Sequence, residues 1–89
     1  MPAFFIKIYG HVQGVGFRYF TYRIARKMGI KGYVRNAEDG SVEIHAEGDE
    51  KSLGDFLNQV SRGPISAVVT NVEYEQVDEK DFQTFEISD

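Results

Sequence analysis

The stretch FFIKIYGHVQGVGFRYF, residues 4–20, decides the fold of this chain because its periodicity changes in the middle. Between Phe4 and Val12 apolar residues alternate with other residues, a period-2 pattern that predicts a strand with two different faces. From Phe17 to Met28 the apolar residues recur at helical spacing, and Gly29 can supply the left-handed residue that ends a helix. We therefore predict a strand, a glycine-containing loop and a helix.

The remaining sequence predicts a hairpin, a second helix and two further strands. Short alternating runs on either side of the Asp39-Gly40 turn are typical of a hairpin. Asp49 can cap a helix that carries an apolar stripe and ends at Gly63-Pro64. A long strand is expected over residues 68–77, and a short fifth strand, at an edge, around Phe85 and Ile87.

This element order defines the fold class. Strand, helix, strand, strand, helix, strand is the α+β, ferredoxin-like split βαβ sandwich, with two helices on one face of a mainly antiparallel sheet. We expect residues 1–89 to form a single domain. Right-handed crossovers make the first and second strands parallel, so the loop Gly14–Arg18 and Asn36, which follow their carboxyl ends, should lie at one edge of the sheet.

Composition excludes several classes of function. The chain has no cysteine, so disulfides, thiol nucleophiles and thiolate metal sites are excluded. No apolar run approaches the roughly 18 residues of a membrane span. Residues 1–9 lack the basic and apolar regions of a secretory leader, so we expect a cytoplasmic protein without a membrane partner.

Charge is divided along the chain. Residues 1–37 contain seven cations and no acid, whereas residues 38–89 contain fourteen acids and three cations. The first part is suited to an anion, although the two parts could instead neutralise each other in the fold. The net charge of -4 disfavours nucleic acid as a partner.

The start of the first predicted helix is suited to a phosphate. No Ser, Asp or Asn precedes Phe17 as a cap, and no acid lies in the first turn. Gly14 and Gly16 can adopt positive φ and let backbone N–H groups converge on an anion, and Arg18 adds a planar fork of donors. Asn36 could serve a turn, or its amide could orient a water while donating to a phosphoryl oxygen.

Two stretches of the sequence resemble the signatures of the acylphosphatases. Residues 10–18, GHVQGVGFR, match the pattern G-x-V-Q-G-V-x-F-R at every specified position. The second signature is matched by Gly32-Tyr33-Val34-Arg35-Asn36 and by the spaced residues Gly40, Val42 and Gly48. Chain length and element order are similar too, so the resemblance covers essentially the whole chain.

The resemblance implies an enzyme that hydrolyses the carboxyl-phosphate bond of acyl phosphates with no metal and no organic cofactor. Separately, we expect a monomer, although the sequence leaves the oligomeric state open. Arg18 corresponds to the family's phosphate-binding arginine and Asn36 to its water-orienting asparagine. The family's cradle of phosphate-binding backbone amides corresponds to the six residues Gln13, Gly14, Val15, Gly16, Phe17 and Arg18. Inorganic phosphate would then be both a product and a competitive inhibitor.

Two residues depart from the family pattern. Ala37 has no hydroxyl where many members carry Thr or Ser, and the chain ends in Asp89 where many end in an aromatic or basic residue. The alternative function is a phosphate-binding module of the same fold without turnover. An RNA-recognition module is disfavoured because Arg35 and Asn36 stand where that motif needs aromatic residues.

We assign structural or surface roles, and no catalytic or metal-binding role, to the two histidines and to one cluster of cations. With two histidines, His11 and His45, and no cysteine, the sequence has no recognised metal-ligand spacing. The cluster Arg23, Arg26 and Lys27 is expected to form a solvated helix face opposite the apolar stripe.

Overall fold

In a computed structural model, which describes residues 1–88, two helices cover one face of a five-stranded sheet. The elements in chain order are β1 (Ala3–His11), α1 (Phe17–Met28), β2 (Lys31–Asn36), β3 (Val42–Glu47), α2 (Glu50–Arg62), β4 (Val68–Val77) and β5 (Phe85–Ser88). The predicted α+β ferredoxin-like class is confirmed, and the short fifth strand is present.

The sheet order β4-β1-β3-β2-β5 positions the site. Strand β3 is antiparallel to both β1 and β2, so β1 and β2 are parallel to each other, as predicted. Strand β5 pairs in parallel with β2 at the edge, where Val34 lies opposite Ile87. The carboxyl ends of β1, β2 and β5 therefore lie at the same edge of the sheet.

The two helices begin in different ways. The side chain of Asp49 caps α2 by accepting a hydrogen bond of 2.9 Å from the backbone N–H of Ser52. Helix α1 begins at Gly16, which has a φ of 81° and makes no side-chain cap. Gly29, with a φ of 72°, ends α1 as predicted. The amide groups at the start of α1 thus lack the acceptor that Asp49 supplies to α2.

The hydrophobic core lies between the helices and the inner face of the sheet. Phe17 of α1 and Phe56 of α2 are its largest fully buried side chains. They pack against the inward residues of the central strands, which include Ile6, Ile8 and Ile44. Burying an aliphatic or aromatic side chain contributes roughly 1.5–3 kcal/mol, so this layer holds α1 firmly over β2 and β5, and α2 over β1 and β4.

Carboxylates on the face of the sheet that the helices leave uncovered neutralise part of the positive charge of residues 1–37. Lys7 Nζ lies 2.8 Å from Asp39 Oδ2 and 3.6 Å from Glu43 Oε2. Arg35 Nε lies 2.7 Å from Glu43 Oε1. Charge neutralisation between the two halves is therefore real for Lys7 and Arg35, both of which lie on strands.

A buried pair on the same face connects the sheet to the segment before β5. The side chains of His45 and Glu47 are 2% exposed, and His45 Nε2 lies 2.8 Å from Glu47 Oε2. The Glu47 carboxylate also accepts hydrogen bonds from the backbone N–H groups of Lys80 and Phe82. Burial alone would raise the pKa of Glu47, but these donors and His45 together hold that pKa below its ordinary value of 4.5.

We expect Glu47→Gln to make the free energy of unfolding less dependent on pH in acidic solution. Because the folded-state pKa of Glu47 is lowered, its carboxylate contributes stability above pH 4.5, and this contribution is lost as the pH falls through the folded-state pKa. An amide has one acceptor oxygen and would leave a buried N–H without a partner, at a cost of about 1–3 kcal/mol.

Urea unfolding between about pH 3 and pH 7 measures both effects, because linkage relates the slope of the unfolding free energy against pH to bound protons. Glu75→Gln, which removes an exposed carboxylate from β4, is the matched control. If Glu47→Gln kept the acid slope of the unsubstituted protein, Glu47 would not be a source of it.

Candidate active site

The loop before α1 presents backbone donors to solvent. Gly14 and Gly16 have φ angles of 76° and 81°, a region that glycine adopts without steric cost. Among residues 1–88, no backbone or side-chain acceptor takes a hydrogen bond from the N–H groups of residues 14–17. These four N–H groups lie at the positive end of the α1 dipole, which favours an anion.

A cleft of about 380 Å³ opens in front of this loop. We call it the α1 cleft, and its lining residues are Val12, Gly14, Gly16, Phe17, Arg18, Tyr19, Asn36 and Ile87. Five residues that the sequence places in the site therefore meet there: Gly14, Gly16, Phe17, Arg18 and Asn36. Gln13 and Val15 belong to the same loop but do not line the cleft.

Arg18 stands in the first turn of α1 and points toward the end of β5. Its Nη1 donates to the carbonyl oxygen of Ser88 at 3.4 Å. Because β5 pairs with β2, the strand that carries Asn36 also helps to hold the strand that contacts Arg18. The terminal residue Asp89, whose effect on Arg18 the sequence left open, lies outside the described residues.

The side chain of Gln13 connects the loop to the turn after Asn36. Its Nε2 donates to the carbonyl oxygens of Ala37, at 2.8 Å, and Ser41, at 3.0 Å. The connection at position 37 thus uses the backbone carbonyl and does not require a side-chain hydroxyl there. The sequence predicted Gln13 only as a backbone donor, because contacts across 24 and 28 residues leave no signal in local spacing.

A second side chain, Ser66, supports the loop from the segment between α2 and β4. Its hydroxyl donates to the carbonyl oxygen of Val15 at 2.9 Å. This hydrogen bond ties the loop before α1 to the segment that precedes β4. No pattern in the sequence distinguishes Ser66 from an ordinary loop serine.

Among the described residues, no side chain that lines the α1 cleft is suited to act as a general base. The lining residues within 1–88 include no carboxylate and no imidazole. His11 is exposed at the end of β1, and His45 is buried with Glu47 on the uncovered face of the sheet. In the described part of the chain, no three His, Cys, Asp or Glu side chains cluster in a way that could hold a metal ion. The site can bind an anion and orient a neutral molecule beside it.

Comparison with known proteins identifies the family. The model of the acylphosphatase family matches residues 4–87. The chain belongs to the acylphosphatase family. An acylphosphatase of Pseudothermotoga lettingae is 63% identical over 87 residues, a match that covers 98% of each chain.

Solved structures agree with this assignment. The crystal structure of the Bacillus subtilis acylphosphatase is similar, with a TM-score of 0.96, 38% identity and coverage of 99% of both chains. A full-length HypF in its phosphate- and nucleotide-bound form is similar with a TM-score of 0.93 and 35% identity, but the match covers only 12% of that chain.

The enzyme predicted from the two signatures is thereby confirmed. This acylphosphatase is a hydrolase that cleaves the carboxyl-phosphate bond of acyl phosphates, releasing a carboxylate and inorganic phosphate. Its substrate is a small molecule. Within residues 1–88, neither helix has the length and apolar character needed to cross a bilayer.

We expect Gln13→Ala to lower both activity and stability. The substitution removes two hydrogen bonds, worth about 0.5–1.5 kcal/mol each, and frees the loop from the turn that follows Asn36. Since small misplacements of reacting groups can cost up to about 10²-fold in rate, kcat for benzoyl phosphate should fall at least tenfold.

Steady-state kinetics and urea unfolding of the same preparations test this expectation. Gln76→Ala, at an exposed position of β4, is the control. A Gln13→Ala protein that lost stability but kept its kcat would show that the connection serves only the fold.

Proposed function

We propose that the α1 cleft holds the phosphoryl group of the acyl phosphate with loop amides and Arg18, and that Asn36 orients the attacking water. The observation that carries this proposal is the set of N–H groups of residues 14–17 that make no hydrogen bond within the described part of the chain. Three of these residues, Gly14, Gly16 and Phe17, line a cleft shared with Arg18 and Asn36. A phosphoryl group has three oxygens for such donors and can still accept a bidentate guanidinium.

In this mechanism the six residues 13–18 form the phosphate cradle. Backbone N–H groups and the Arg18 guanidinium stabilise the charge on the equatorial oxygens during transfer. The Asn36 side chain accepts a hydrogen bond from the water with its oxygen and donates to a phosphoryl oxygen with its nitrogen. These contacts hold the water opposite the bond to the acyl oxygen.

The chemical step needs little more than this positioning. The water oxygen bonds to phosphorus, the bond from phosphorus to the acyl oxygen breaks, and the carboxylate leaves with the electron pair. Because a carboxylate is a good leaving group, a strong protein base is unnecessary, and the proton of the water passes to a substrate oxygen or to solvent. We propose that no metal or organic cofactor takes part, since Arg18 and the loop amides supply the positive charge that a metal would supply.

The proposal also includes the domain organisation, the oligomeric state and the partners of the protein. Residues 1–89 form one acylphosphatase domain that acts as a monomer, with no nucleic acid and no membrane as a partner. The family model spans 84 of these positions, residues 4–87, and the net charge of -4 disfavours nucleic acid. The cytoplasmic location stays a prediction.

We expect Arg18→Ala and Asn36→Ala to damage catalysis in different ways. Removing one preorganised donor typically costs about 10²- to 10³-fold in kcat, and Arg18→Ala should lose at least that much in kcat/KM. Asn36→Ala should lower kcat by a similar factor with little change in KM, because its partner is the water. Inorganic phosphate should inhibit competitively, and Arg18→Ala should weaken that inhibition.

The measurement is hydrolysis of benzoyl phosphate in EDTA, with circular dichroism to confirm folding. Arg26→Ala and Asn58→Ala remove the same side-chain types from outside the α1 cleft and serve as matched controls. An unchanged kcat in Asn36→Ala would remove Asn36 from the mechanism. Activity that depended on added metal would overturn the metal-free proposal, and phosphate binding without turnover would indicate an anion-binding module.

A further inference from the structure

A second cleft adjoins the α1 cleft and runs along α1. We call it the α1–α2 groove; it has a volume of about 600 Å³, and its lining residues are Gly16, Tyr19, Phe20, Arg23, Ile24, Lys27, Met28, Gln59 and Pro64. Gly16 and Tyr19 line both clefts. The groove therefore begins where the phosphoryl group is proposed to lie, and it is the larger of the two.

One face of α1 forms the cationic side of the groove. Phe20, Arg23 and Lys27 follow Gly16 by four, seven and eleven residues, which is the spacing of a single helix face. At 1.5 Å per residue, Arg23 lies about 10 Å and Lys27 about 16 Å along the axis from Gly16. Helical side chains lean back toward the N-terminus, so both cationic groups reach toward the α1 cleft.

These two cations are not used by the ion pairs that the fold forms. Lys7 and Arg35 meet carboxylates on the uncovered sheet face, whereas in residues 1–88 no carboxylate lies within 4.0 Å of Arg23 or Lys27. The Arg23 guanidinium instead lies 5.9 Å from the centre of the Tyr19 ring. Arg23 and Lys27 are exposed, in agreement with the sequence-based expectation of a solvated helix face, and they also border the groove.

The floor of the groove is apolar. Phe20, Ile24 and Met28 are half-buried and pack against the core, and Pro64 adds a further apolar surface. At the far end, Gln59 Nε2 lies 3.7 Å from Met28 Sδ. An apolar floor with cations at a fixed distance along it suits a ligand with an apolar body and an anionic end.

We propose that the α1–α2 groove is the subsite for the acyl group of the substrate, and that it favours acyl phosphates that carry a second anionic group. The acyl body lies on Phe20, Ile24 and Met28, and the distal carboxylate or phosphate meets Arg23 and Lys27. This inference rests on the proposed binding of the phosphoryl group in the α1 cleft. The inference concerns the acyl group of the substrate, whereas the two sequence signatures concern only the phosphoryl group.

The two clefts meet at Gly16 and Tyr19. There is open space directly beside Gly16, since a Cβ at this position would meet no described atom within 4 Å. Tyr19 is 59% exposed beside this boundary and can contact the first atoms of an acyl group. A substrate that occupied both clefts would cross this shared boundary.

The test compares benzoyl phosphate with 4-carboxybenzoyl phosphate, which differ by one distal carboxylate. For each variant, we take the ratio of kcat/KM for 4-carboxybenzoyl phosphate to kcat/KM for benzoyl phosphate. The two substrates differ in intrinsic reactivity, but this difference is the same for every variant and cancels when the ratios are compared. For Arg23→Gln/Lys27→Gln, the preference for the carboxylated substrate should fall about three- to tenfold, a size expected for two partly exposed charge pairs. KM should carry most of this change, since a contact distant from phosphorus is similar in the ground and transition states.

Arg26→Gln/Lys51→Gln is the matched control. It removes two positive charges outside the groove: Arg26 contacts Tyr22, and Lys51 pairs with Asp55 on α2. The control should keep the preference of the unsubstituted protein. If both double variants lost the preference for the carboxylated substrate equally, the loss would be explained by the lower net charge of the protein. That result would overturn the proposed acyl-group subsite.

Two other outcomes would also overturn the inference. If Arg23→Gln/Lys27→Gln slowed both substrates by the same factor, the two cations would act on the phosphoryl group and not on the acyl group. If the unsubstituted protein failed to hydrolyse benzoyl phosphate, the proposed function would fail first, before any ratio was formed. Failure of the proposed function and failure of the subsite are therefore distinguishable.

Discussion

Among the described residues, helix α1 has no acceptor for its first backbone N–H groups, and the rest of the candidate site depends on this deficiency. A side-chain cap such as Asp49 of α2 would satisfy those donors and occupy the place that we propose for a substrate oxygen. The left-handed glycines at 14 and 16 let the chain turn into the helix while its amides stay open. The buried Phe17 holds this unfavourable start in place, because its contacts with the core outweigh the lost cap.

The sheet supplies the other half of the site through its strand order. Because β3 lies between β1 and β2, the loop after β1 and Asn36 at the end of β2 share an edge although 20 residues separate Gly16 from Asn36. Gln13 then fastens the loop to the turn after Asn36, and β5 brings the carbonyl of Ser88 to Arg18. Most of these contacts involve backbone atoms, so their geometry follows from the fold itself.

Much of this arrangement was predictable from sequence because it rests on local patterns. Periodicity and glycine positions predicted all seven elements, and the parallel direction of β1 and β2 followed from crossover handedness. Arg18, Asn36 and the loop belong to continuous motifs. The supports from Gln13, Ser66 and Ser88 were not predictable, since each joins residues at least 24 apart through one or two hydrogen bonds. The groove escaped prediction for the same reason: Gln59 and Pro64 complete it from another element.

The described residues that line the α1 cleft include no carboxylate and no imidazole. This composition bears on how hydrolysis depends on pH. A guanidinium stays protonated and a peptide amide does not titrate at any pH at which such a protein is folded. The kinds of donor that we propose for the phosphoryl oxygens therefore keep one charge state from mildly acidic to alkaline solution. In the proposed mechanism the acyl phosphate itself changes charge with pH, so exchanging the substrate is expected to shift the pH dependence of hydrolysis.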